Sequence, residues 1–256
     1  GQGIGGYDDN MPRAWEEVWD TGISTNANFQ KGVGSSTNLS WTTPTVAGTS
    51  VQIAYAPDND GTQNNNKGVS GAASDHFGQG WDLVIDTGTA DGAINLFVGG
   101  SRTEIAKVKL DRDLSGDHEE AVVGLQFKFG PVALGGQVSA ERLRSRGLNA
   151  AEYYGNSSWG IAFNVNDALS VSYSEARHVM TKTHKANNAD RTSGNAQHNT
   201  NEYTPKSWMR GDSIQVAYTI GGLGLKYAQT NYDNTGFSFD AKAPKDASIV
   251  AMTLAF

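Results

Sequence analysis

Within its first twenty residues this 256-residue chain carries Asp8, Asp9, Glu16, Glu17 and Asp20, five carboxylates set against a single Arg13. Carboxylates this dense can gather oxygens around a hard cation, or they can set up a negative field across the space they border. Calcium is the cation such a set would take, with Asp8, Asp9 and Glu16 as its candidate ligands. The spacing is not that of an EF-hand, and no cofactor is required. Met11-Pro12 and Trp15, interleaved with the acids, offer apolar surface that could pack the segment against a wall.

Other chemistry-bearing residues form weaker patterns. His178, His184 and His198 lie in a polar stretch with Lys182, Lys185 and Arg191, but their spacing fits no compact zinc site, and they read as exposed loop histidines. His76 and His118 read as isolated. Asp117-His118 is the nearest approach to a catalytic pair, and the chain has no Gly-His-x-Ser motif, so the reading is not enzymatic. With no cysteine, neither a disulfide framework nor a thiolate metal site can form. The net charge of -7 disfavours nucleic acid as a partner, since phosphate binding needs clustered Lys and Arg.

What must hold these residues is a set of alternating strands. Val250, Met252, Leu254 and Phe256 share one face of the last strand, and Ala251, Thr253 and Ala255 share the other. The same period recurs upstream in pairs. Val123 to Phe129 turns at Gly130-Pro131 into Val132 to Val138. Trp159 to Val165 turns at Asn166-Asp167 into Leu169 to Tyr173, and Ile214 to Ile220 turns at Gly221-Gly222 into Leu223 to Tyr227. Leu39 and Trp41 lead into Val51 to Tyr55, and Trp81 to Ile85 is joined to Ile94 to Val98. Long polar connections separate the pairs, at 57–80, 100–118, 142–157, 175–210 and 231–245. Short turns at one end and long loops at the other are the layout of an outer-membrane barrel. A mean hydropathy of -0.47 does not oppose this, because only every second residue of such a strand meets lipid.

The pattern therefore predicts an all-β fold, a transmembrane antiparallel β-barrel of about eleven strands forming one domain over 1–256. Residues 1–34 form a loop, and residues 35–256 form strands and extracellular loops. Gln126, Lys128, Gln215 and Lys226 have lumenal parity. Tyr55, Trp81, Phe129, Tyr153, Tyr154, Trp159, Tyr173, Tyr227 and Tyr232 sit near strand ends, as in an interfacial aromatic girdle. Arg142, Arg144 and Arg146 follow the outward parity of Ala140, where guanidinium groups would meet lipopolysaccharide phosphates and outer-membrane lipid. Single-chain bacterial barrels have an even strand number. The odd count predicts that N-terminal strands are missing from the chain, either lost by proteolysis or supplied by another chain.

The stretches GQGIGGYDDNMPRAWEEVWD and STNLSWTTPTVAGTSVQIAYAP, with the ending SIVAMTLAF, resemble the Gram-negative general porins, particularly the alphaproteobacterial kind. That resemblance implies a homotrimer of sixteen-stranded barrels in the bacterial outer membrane, of which this chain is similar to the C-terminal two-thirds. It implies that Asp8, Asp9, Arg13, Glu16, Glu17 and Asp20 belong to an inturned constriction loop, and that Phe256 is part of an assembly signal. The implied function is a water-filled channel for passive diffusion of small hydrophilic solutes and ions. The alternatives are a substrate-selective porin, or a surface or phage receptor whose long loops bind a ligand.

Overall fold

The computed structural model describes residues 3–8, 10–33, 37–57, 77–105, 117–143, 151–182, 206–238 and 244–254. A short 3-10 helix, Gly3–Tyr7, opens the chain, and eleven strands follow: β1 Leu39–Thr42, β2 Thr49–Ala56, β3 Phe77–Gly88, β4 Ile94–Ile105, β5 His118–Phe129, β6 Val132–Arg142, β7 Ala151–Asn164, β8 Leu169–Lys182, β9 Lys206–Ile220, β10 Leu223–Asp233 and β11 Pro244–Leu254. Each strand is hydrogen-bonded antiparallel to its sequence neighbour, so one sheet runs from β1 to β11 in chain order. All eleven expected strands are present. Among the described residues β1 and β11 are the free edges of this sheet.

The turns explain the register. Gly130 and Gly221 adopt φ of 55° in two-residue turns, which lets β5–β6 and β9–β10 reverse without splaying. At Asn166 the side-chain carbonyl accepts from the amides of Ala168 and Leu169, both at 2.9 Å, closing β7–β8.

The two faces of the sheet have opposite character. Leu83, Ile85, Val98, Val123, Leu125, Val138, Ile161, Phe163, Ile214 and Met252 are exposed on one face. Cross-strand pairing joins them into continuous apolar rows such as Ile85, Val98, Val123 and Val138. An exposed apolar surface of this extent belongs against lipid. The other face buries polar side chains, among them Asp82, Glu120, Gln137, Glu141, Asn156, His178 and Gln215. What covers them is the segment 3–33.

Several strands run further than the sequence pattern predicts, shortening every expected loop. β8 continues to Lys182, β9 begins at Lys206 and β7 begins at Ala151. The physical reason is an inversion of pattern along each strand. Near the short turns the outward residues are apolar and the inward ones polar. Towards the other end, β8 and β9 present Glu175, Arg177, Arg210 and Asp212 outward, while Ala176, Met180 and Met209 point inward and are buried. Arg210 and Arg177 both reach Glu175, at 2.9 and 3.6 Å, on the outer surface. An apolar-out rule loses the strand at that point.

Candidate functional site

The segment 3–33 crosses the inner face and returns, held throughout by wall side chains. At its root Gly3 donates its amide to Gln52 Oε1 (2.8 Å) and Ile4 donates to Asp82 Oδ2 (3.2 Å). The Tyr7 hydroxyl donates to Asp86 (3.0 Å), and its ring lies 4.9 Å from that of Phe97. Burial and the adjacent Asp86 carboxylate push the Tyr7 phenol up to about 12.

Further along, neutral amides and hydroxyls take over. Gln126 Nε2 donates to the Asn10 carbonyl (2.7 Å) and Gln137 Nε2 to the Asp8 carbonyl (2.6 Å). The Ala14 amide donates to Ser172 Oγ (2.9 Å) and the Trp15 amide to Gln215 Oε1 (3.1 Å); Gln215 Nε2 in turn donates to the Glu16 carbonyl. The hydroxyls of Thr21 and Thr230 close the far end. Glycines on the wall make this approach possible. A Cβ at Gly160 would stand 2.5 Å from the Pro12 carbonyl oxygen, and one at Gly135 would stand 2.9 Å from the Pro12 ring.

The tip is a small apolar core inside the polar face. Met11, Val18, Trp19, Ile23 and Phe29 pack with Ala176, Met180, Met209, Tyr232 and Phe237. The Trp19 and Phe29 rings are 4.3 Å apart, and the edge of His178 meets Phe29 at 5.3 Å. Burying each large apolar side chain is worth roughly 1.5–3 kcal/mol. This cluster corrects three sequence expectations. His178 is not an exposed loop residue: it is fully buried on β8, its Nδ1 donating to Asn156 Oδ1 (2.7 Å) and its Nε2 facing the Tyr232 hydroxyl (3.2 Å). Tyr232 and Tyr154 are not girdle aromatics. Tyr232 is buried in this core, and Tyr154 packs beside it against Phe237.

The return arm meets carboxylates. Asn28 donates its side-chain amide to Glu141 Oε2 and accepts from Asn156 at its carbonyl (2.8 Å). The amides of Lys31 and Gly32 donate to the two oxygens of Glu120, each at 2.8 Å. The Val33 amide lies 3.1 Å from both oxygens of Asp82. His118, expected to be isolated, places Nε2 3.0 Å from Glu141 Oε1 on the inner face, while its neighbour Asp117 pairs outward with Arg102. The Asp117-His118 pair therefore does not converge on one point.

Of the acidic set, Glu16, Glu17 and Asp20 bring carboxylate oxygens within 4.8 Å of one another. Arg13 folds back onto its own segment, pairing with Glu17 at 2.5 Å and donating to the Met11 and Trp15 carbonyls. Asp8 is described, whereas Asp9, and with it the full Asp8, Asp9 and Glu16 calcium set, lies outside the described residues. Gln126 and Gln215 have lumenal orientation but serve as anchors beneath the segment, which their parity alone does not reveal. Lys226 places its ammonium 5.9 Å from the centre of the Trp15 ring, and Lys128 is exposed on the inward parity of β5. Arg142 is exposed on the outer face of β6, opposite Glu119 and Tyr153. Arg144, Arg146, His76, His184, His198 and Phe256 lie outside the described residues.

Comparison with known proteins completes the picture. No curated protein matches the chain. Its fold is similar to the crystal structure of the outer membrane channel DcaP of Acinetobacter baumannii, with a TM-score of 0.58 and 12% identity, covering 84% of this chain and 61% of that one. It also resembles in-vitro folded OmpT, an outer membrane protein of Vibrio cholerae, with a TM-score of 0.48 and 12% identity, covering 94% of this chain and 71% of that one. The chain thus spans 61% of the DcaP chain, and at this identity the likeness speaks for the fold alone. Residues 3–205 match the family model described as Gram-negative porin. The chain belongs to the Gram-negative porin family, and its eleven strands are barrel wall of the bacterial outer membrane.

Proposed function

We propose that the chain forms most of the wall of a water-filled channel through which small hydrophilic solutes and ions diffuse passively, with no covalent chemistry. The segment 3–33 narrows the channel. The observation that carries this reading is that this segment lies across the inner face and is hydrogen-bonded to wall residues from Gln52 on β2 to Thr230 on β10. Solutes are sorted by size at the segment and by charge at Glu16 and Asp20, with Lys226 and Lys128 as the basic counterpart on this part of the wall. An open sheet edge is not viable in lipid, so the free edges at β1 and β11 are paired by further strands in the working barrel. A homotrimer whose outward arginines, Arg142 among them, meet lipopolysaccharide belongs to the same reading. Calcium at the segment's carboxylates is an accessory to it.

Planar-bilayer recording of the complete protein tests the proposal. The expected result is a stable ohmic pore with weak cation preference, read from the reversal potential in a salt gradient. Absence of conductance from folded protein overturns the channel, and anion preference overturns the charge-sorting role of the carboxylates.

A further inference from the structure

We infer that Asp82 is the positioning residue of the narrow passage: this one carboxylate on β3 gathers both ends of the segment 3–33 into a neck, and so fixes where the segment stands on the wall. Strand period turns Asp82 to the inner face, between the outward Trp81 and Leu83, and there it is fully buried. Its cross-strand neighbours are small, Ala54 on β2 and Ser101 on β4, which leaves room for backbone above the carboxylate. Two stretches of backbone enter that room. The outgoing end donates the Ile4 amide to Oδ2 (3.2 Å), and the returning end places the Val33 amide 3.1 Å from both Oδ1 and Oδ2.

The residues around this carboxylate are those a neck requires. Gly3 and Gly32 both have positive φ, 65° and 55°, and a Cβ on either would stand only 2.0 or 2.1 Å from Asp82 Oδ2. Glycine alone permits that approach. The two ends also touch each other. Gln30 Nε2 donates to the Ile4 carbonyl (3.5 Å), and a Cβ on Gly5 would stand 2.6 Å from the Lys31 carbonyl oxygen. Beside the neck Ile4 packs among Val84, Phe97 and Val122, and Val33 packs on Ala54 and Ala56. The side-chain type matters as much as its place. An ionised carboxylate only accepts, so it can take amides from two directions at once, whereas an asparagine of the same shape has one acceptor oxygen and would turn its NH2 against a backbone N–H. From this neck the segment reaches across the inner face to Thr230 on β10, so a displacement at β3 is carried to the tip. The inference rests on the channel reading only in taking the segment as the constriction.

The test uses the complete protein folded in detergent, with amide hydrogen exchange read at residues 3–6 and 31–33. Asp82→Ala should speed exchange at both ends together, by about ten-fold or more. Gln52→Leu should speed it at the outgoing end only, and Glu120→Ala at the returning end only. Asp82→Asn should free at least one end, which loss of mere space-filling would not do. Loss at one end only in Asp82→Ala, loss at neither, or protection kept at both ends in Asp82→Asn overturns the neck. Should Asp82→Ala fail to fold by far-UV circular dichroism, Asp82→Asn decides by the same amides. The unit conductance of the Asp82 variants should spread over a wider range than that of the wild type, and an unchanged distribution with freed ends overturns the positioning role. Freed ends in a protein whose wild type never conducts count against the channel and not against the neck.

Discussion

The outgoing and returning arms of the segment 3–33 lie on the same wall but are held by different chemistry. From Asp8 to Glu16 the anchors are neutral: Gln126, Gln137, Ser172 and Gln215. From Asn28 to Val33 they are chiefly the carboxylates Glu141, Glu120 and Asp82, with Asn156 the neutral exception. Hydrogen bonds to charged groups contribute about 1.5–3 kcal/mol each, against about 0.5–1.5 kcal/mol for neutral ones. The return arm is therefore held by the stronger contacts, and the outgoing arm by more modest ones. Losing one contact should matter far more on the first than on the second.

Removing Glu120 should have the largest effect. Glu120→Ala removes the acceptor of two part-buried amides, Lys31 and Gly32, and should cost on the order of 3 kcal/mol locally. Hydrogen exchange should show residues 28–33 losing protection while residues 10–16 keep theirs. Equal loss in both arms would mean that they are one cooperative unit and the contrast is false. Next comes Gly160→Val, whose side chain must displace the backbone at Pro12, at a cost of about 1–3 kcal/mol. Single-channel conductance should change, with the disturbance centred on the outgoing arm; wild-type conductance and exchange would show that the close approach does not hold it.

Gln126→Leu should cost only about 1 kcal/mol, since Gln137, Ser172 and Gln215 remain. A thermal or denaturant midpoint shifted as far as that of Glu120→Ala would remove the distinction between strong and modest anchors. The smallest stability effect is expected for Asp20→Asn, an exposed position where folding should stay within about 0.5 kcal/mol of wild type. Its readout is selectivity: the reversal potential should move towards weaker cation preference, and an unchanged value would exclude Asp20 from the solute path.

Much of this could be read from residue order. Period two locates all eleven strands, because a wall between lipid and water has to alternate. The turn residues Gly130, Asn166 and Gly221 fix their pairing. The inward parity of Gln126, Lys128, Gln215 and Lys226 was equally legible. What parity cannot convey is that the inner face has two environments. Where the segment covers it, inward residues become core, so His178, Met180, Met209 and Tyr232 look like the wrong residues for a watery interior. His118 looked isolated because its partner Glu141 is 23 positions away and only sheet register unites them. Acids on the inward parity of strands, Glu120 and Glu141, are the signal the residue order carries.

The hydroxyl contact between Thr21 and Thr230 joins residues 209 apart in sequence. Its implication concerns time. Among the described residues every wall partner of the segment lies downstream of it, so the segment precedes those strands in the chain and can be fully seated only once β10 has joined the sheet. Contacts of such separation form slowly, since a long loop must close before they repay its entropy. An ungated wall is then an obligatory stage of assembly, and the narrow passage is a finishing step laid onto it. Protection of residues 18–29 before β9 and β10 gain theirs would reverse that order.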